Sequence, residues 1–181
     1  MSVADVDVTS TYEVKLTAEG VSLVSGGSEI SADRESSEPS QFVTRAHGET
    51  TLNTGPIVFH SGVPVGGWGA LTVFGAGGSR FSGHFHDSGA GNYNVALAIV
   101  VKAQSGTAYA WATQGHLNGT FTPGSRDYNW DISPLRSLDT GDANSLVSWW
   151  WQAATNWNIG GMVNSCVSNL GGATRVVWLN P

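Results

Sequence analysis

Residues 93–117, YNVALAIVVKAQSGTAYAWATQGHL, decide the fold class. Tyr93, Val95, Leu97, Ile99 and Val101 fall at every second position, and Tyr109, Trp111 and Leu117 do the same beyond Gln104-Ser105-Gly106-Thr107. A period of two puts alternate side chains on opposite faces of an extended chain. A short link containing Gly then returns the chain antiparallel to itself. The preceding run, Arg80–Asp87, keeps the same parity with Phe81 and Phe85, and Ser88-Gly89-Ala90-Gly91-Asn92 reads as a second hairpin loop. Together the three runs predict an antiparallel meander in a mainly β protein.

Composition agrees. Charged residues make up 12% of the 181-residue chain, about half the usual share. Solubility must therefore rest on Ser, Thr, Asn, Gln and the 24 Gly residues, which suit strands and turns. The net charge of −6 comes entirely from residues 1–50, leaving the remainder neutral with no basic patch. Nucleic acid is thus not an expected partner, and anionic membranes are equally unattractive. Cys166 is the single cysteine, which excludes an intramolecular disulfide and a cysteine metal site. No stretch approaches the ~20 apolar residues of a spanning helix, so no transmembrane segment is expected. Met1–Ser10 alternates acids with small residues and is no apolar run, so a cytoplasmic location is expected, with secretion after removal of a signal as the alternative.

Outward from the meander, Tyr12–Val24 alternates around a turn at Glu19-Gly20, and Ser25–Gln41 reads as a loop or linker. Residues 1–41 are therefore set apart as an acidic, partly flexible segment, and 42–181 as a single β domain. Phe42–Leu52, Ile57–His60, Ala70–Phe74 and Ala173–Asn180 read as further strands. Helices are expected near 143–170. Asp142 is the expected N-cap, Gly160-Gly161 a stop, and Leu146, Trp149, Trp150, Ala153 and Trp157 share one helical face. A second helical stretch carries Met162, Val163, Cys166, Val167 and Leu170, and ends at Gly171-Gly172. The even positions of the meander hold Ala96, Ala98, Ala108, Ala110 and Ala112. So small a face invites the close approach of something large, either a ligand or another part of the chain.

This order of antiparallel strands, helix and final strand resembles the lipocalin and wider calycin architecture. Gly66-Gly67-Trp68 has the shape of that family's Gly-x-Trp, although here it lies in mid-chain. The resemblance implies an antiparallel β-barrel, with a β-sandwich packed against helices as the alternative. It assigns no role to any residue.

The chemistry centres on histidine. His84 and His86 lie two apart on one strand face, and His116 has the same parity, so all three are candidate general acids or bases with Asp87 and Asp127 as orienting carboxylates. His-x-His is also how a strand presents paired metal ligands. Gly78 precedes His84 by six residues, as in the first half of a cupin metal motif, but the glutamate expected next is missing. No metal ligand and no cofactor are assigned. Trp68, Tyr109, Trp111, Gln114, Asn118, Trp149 and Trp150 are the expected ligand-binding residues, with Trp130 as a further aromatic wall. Trp151 is expected at the edge of its helix, where capping the barrel is the favoured role, with a homo-oligomer through the Trp-rich helix or a membrane interface as the alternatives. Asn118-Gly119-Thr120 is a glycosylation sequon. The expected function is a barrel binding a small apolar or aromatic molecule. The alternatives are a cofactor-independent cyclase or isomerase on the same pocket, and a carbohydrate-binding or membrane-active protein using exposed Trp.

Overall fold

The computed structural model describes residues 7–17, 20–25, 44–46, 48–59, 62–155 and 158–179. The linker read over Ser25–Gln41 falls largely outside them, as do His60 and Trp157. The elements are β1 Asp7–Thr17, β2 Gly20–Ser25, β3 Thr44–Ala46, β4 Glu49–Asn53, β5 Ile57–Val58, β6 Val65–Phe74, β7 Ser79–Asp87, β8 Tyr93–Ala103, β9 Thr107–Leu117, β10 Asp127–Ile132, α1 Thr140–Ala143, β11 Leu146–Thr155, α2 Ile159–Asn169 and β12 Arg175–Trp178. No helix among them is long and apolar enough to cross a membrane.

The strands form two sheets. The first has the order β12-β9-β8-β11-β1-β2, and the second β10-β7-β6-β4-β3 with β5 also paired to β6. Every pairing is antiparallel except that of β12 with β9. Neither sheet closes into a barrel among the described residues. The reason lies between β7 and β8. The β8–β9 hairpin forms as its period predicts, with Val101 opposite Tyr109 and Gly106 at φ 86° in the turn. Residues 88–92, however, do not make a hairpin: they carry the chain from the second sheet to the first. Parity survives the crossing because β7 and β8, in different sheets, both turn their odd positions toward one shared core.

That core is filled. Leu71, Phe81 and Phe85 of the second sheet meet Leu97, Ile99 and Trp111 of the first, all fully buried in one cluster. Two glycines permit the close fit. Gly69, Gly83 and Trp130 lie in one cross-strand row. A Cβ on Gly69 would strike Leu97 of the facing sheet, and one on Gly83 would strike the Trp130 ring.

The helix expected from residue 143 is a strand. Trp149, Trp150 and Trp151 are all buried, at 1%, 7% and 3% exposure. Trp149 and Trp151 enter the inter-sheet core, while Trp150 points to the outer face. A central strand covered on both sides needs apolar residues at every position, so its alternation disappears and its spacing also satisfies a helix. Trp151 is therefore in the core and not at the edge of a helix. Asp142 is not the N-cap either. Asp139 caps the single turn α1, its Oδ1 accepting from the Gly141 N–H at 2.8 Å.

α2 forms where the second helical stretch was read. Asn158 caps it, Oδ1 accepting from Gly160 N–H at 2.8 Å. Gly171 and Gly172, at φ 74° and 80°, lead the chain away. Met162, Val163 and Cys166 are fully buried against Ala96, Ala98, Ala108, Ala110, Trp150 and Ala154. The small face is thus occupied by this chain's own helix. Lys102 Nζ donates to Leu170 O at 3.1 Å, placing a cation at the helix C-terminus, where the carbonyl dipoles favour it.

One shorter reading also changes. Phe42–Leu52 is not one strand, because Gly48 at φ 80° lies between β3 and β4.

Candidate functional site

The outer face of the second sheet, which α2 does not cover, carries the polar cluster. β7 alternates so that Phe81, Gly83, Phe85 and Asp87 are buried while Arg80, Ser82, His84 and His86 face out. β10 does likewise, with Tyr128, Trp130 and Ile132 packed inward and Asp127, Asn129 and Asp131 outward. The register then builds rows across three strands. Gly66, His86 and Asp127 form one row, and Trp68, His84 and Asn129 the next.

Within these rows the side chains are hydrogen bonded in pairs. His86 Nδ1 lies 2.8 Å from Asp127 Oδ1, and His84 Nδ1 lies 2.8 Å from Asn129 Oδ1. Carboxylate and amide oxygens can only accept, so both rings carry a proton on Nδ1. The two imidazoles are nearly parallel, with centroids 6.4 Å apart. His84 Nε2 lies 3.6 Å from the same Asp127 oxygen. Farther along the face, Arg80 donates twice to Asp131, from Nε at 2.8 Å and from Nη2 at 2.6 Å. This fork holds the Asp131 carboxyl below its ordinary range and raises the guanidinium of Arg80.

Trp68 stands beside His84 with 43% of its surface exposed. A cleft of about 460 Å³ opens at the same place, with Val58, Val63, Pro64 and Gly67 beside His84 and His86. Of the residues expected to act together, the structure unites Trp68, His84, His86 and Asp127.

The others lie elsewhere. His116 projects from the outer face of the first sheet, its Nδ1 2.7 Å from Asn94 Oδ1. Two packed sheets about 10 Å apart therefore separate it from His84 and His86, and no three-histidine site forms. Asp87 is fully buried, with Oδ1 accepting from Gly89 N–H at 2.7 Å. It shapes the crossing to β8, while the Nδ1 partners of His84, His86 and His116 are Asn129, Asp127 and Asn94. Tyr109 and Trp111 belong to the inter-sheet core, where Tyr109 donates to Asp142 Oδ2 at 2.8 Å and Trp111 Nε1 to Ser79 Oγ at 3.0 Å. Trp130 is core as well, in contact with Phe81, Phe85 and Tyr128. Trp149 and Trp150 are buried in β11. Gln114 is exposed near the end of β9, and half-buried Asn118 donates to Ser125 O at 3.3 Å.

Asn129 is the site residue that sequence reading missed. Its signal was present in Asp127-Tyr128-Asn129-Trp130-Asp131-Ile132, where polar and apolar residues alternate strictly. Comparison of the chain with protein-family models, with characterised proteins and with solved structures returned no match.

Proposed function

We propose that this chain is a carbohydrate-binding protein whose binding surface is the outer face of β6, β7 and β10. The observation that carries the reading is the position of Trp68. Among the described residues it is the tryptophan that stands half exposed, and it stands directly across from His84 in a row of polar side chains. Sugars present an apolar C–H face and a rim of hydroxyls. An indole suits the first, while the Asp127 carboxylate, the Asn129 amide and the imidazoles suit the second. The cleft beside them is open, as a surface for a pyranose ring requires. Binding to a glycan array should be clear for the native protein and absent for Trp68→Ala at equal concentration. Equal signals from both would overturn the assignment.

The His86–Asp127 pair favours a second reading, a cofactor-independent proton-transfer enzyme at the same cleft. A carboxylate on one imidazole nitrogen orients the ring and leaves the other nitrogen to take or give a proton. The small organic ligand expected from the sequence would then be the substrate, with Val58, Val63 and Pro64 as its apolar wall. His86→Gln separates the two readings. Loss of turnover with ligand binding retained supports catalysis, and unchanged turnover removes His86 from it.

A further inference from the structure

We infer that His84, His86 and Asp127 form a binding site for a divalent transition-metal ion. One ligand atom from each of the three residues lies within 4.8 Å of the other two. The hydrogen bonding shows why a cation suits the place. Asn129 Oδ1 accepts from His84 Nδ1, which turns the Nε2 edge of that ring toward Asp127 Oδ1 at 3.6 Å. An imidazole nitrogen and a carboxylate oxygen set side by side in this way are two donor atoms that a cation between them would share.

A zinc-like ion fits the gap. Ligand bonds of about 2.1 Å in tetrahedral geometry put neighbouring ligand atoms roughly 3.4 Å apart, close to the 3.6 Å already present. His86, half exposed on the same strand face, supplies the third position by turning its ring and exchanging its Asp127 bond for the ion. The donors are two imidazoles and one carboxylate, a set that suits Zn²⁺, Cu²⁺, Ni²⁺ or Co²⁺ and is poor for Mg²⁺ or Ca²⁺. Asn129 is then a positioning residue, because it holds the His84 tautomer that leaves Nε2 free to coordinate. His84 and His86 also line the cleft bounded by Val58, Pro64 and Gly67. This inference does not depend on the carbohydrate reading, since Trp68 takes no part in it.

The test uses the full chain without an affinity tag, stripped with chelator and dialysed, then titrated calorimetrically with Zn²⁺. One ion per chain is expected. His84→Gln with His86→Gln should abolish uptake, Asp127→Asn should weaken it, and Asn129→Ala should weaken it about tenfold. Trp68→Ala should leave it unchanged, and a circular-dichroism melt of each variant checks that it is folded. Cu²⁺ electron paramagnetic resonance adds a readout of the ligands themselves, with nitrogen couplings from two imidazoles in the native protein and from one in His84→Gln. No uptake by the native chain overturns the inference. So does a double variant that is folded and titrates like the native protein, or a Cu²⁺ spectrum indifferent to His84.

Discussion

His86 and Asp127 face each other across the β7–β10 pairing, Nδ1 2.8 Å from Oδ1, and both side chains are 47% exposed. A contact so open to water holds the fold together weakly, since exposed ion pairs contribute about 0–1 kcal/mol. Asp127→Asn should therefore shift the urea midpoint by less than about 1 kcal/mol equivalent. The same variant should lose most ligand affinity. A large loss of stability would instead make the pair a structural brace.

Trp68 offers the complementary case. Truncating a central aromatic contact typically costs about 2 kcal/mol of binding, roughly thirtyfold in affinity. Trp68→Ala should show that loss against a glycan hit while its melting curve stays close to native, because exposed positions tolerate substitution within about 0.5 kcal/mol. Calorimetric titration alongside thermal melts reads both.

Buried indoles should differ by their hydrogen bonds. Trp111 Nε1 donates to Ser79 Oγ at 3.0 Å, whereas Trp150 Nε1 has no partner among the described residues. Replacement by Phe removes the same volume at either site. Only at Trp111 does it also strand a buried hydroxyl, at about 1–2 kcal/mol. Urea denaturation should therefore find Trp111→Phe less stable than Trp150→Phe by about that difference. Equal costs would mean that packing alone sets both.

The alanine face sets how closely α2 can dock. Ala98 and Ala110 are fully buried beneath it. Ala110→Leu should cost about 1–3 kcal/mol through overpacking, and amide exchange should quicken in residues 159–169 before it does in β8. Uniform acceleration across the sheets would count against a local effect.

Alkaline pH provides a further test. Burial, then the hydrogen bond to Asp142, raises the Tyr109 phenol above its ordinary value. The folded chain thus holds that proton more tightly than the unfolded chain. The stabilisation is fully present below the unfolded value of about 10 and is lost as pH rises through the higher folded value. Denaturation midpoints should fall above about pH 10 in the native protein, with a shallower decline in Tyr109→Phe. Parallel curves would refute this role for the phenol.

How much of this was legible depended on which faces of each strand are covered. The hairpin of β8 and β9 announced itself because Tyr93 through Leu117 alternate over two regular runs joined by a short turn. The crossing at residues 88–92 was hidden, since Phe85 and Val95 point into the same core whether or not their strands are paired. β11 was hidden for the opposite reason: with core on one side and α2 on the other, Trp149, Trp150 and Trp151 all needed to be apolar. At the site, His84 and His86 were readable from spacing along one strand. Their joining to Asp127 and Asn129, and the separation of His116, depend on pairings between distant segments that no local pattern spells out.

The place of β1 in the first sheet bears on how the molecule comes to exist. β1 pairs with β11, Asp7 opposite Ala154 and Glu13 opposite Ser148, and β11 in turn separates it from β8. On the ribosome, the β1–β2 hairpin emerges long before the strand that must receive it. High contact order of this kind slows folding to the order of milliseconds to seconds. During synthesis the open edge of β8 awaits a partner still to be translated, and the nascent chain must avoid pairing it with anything else.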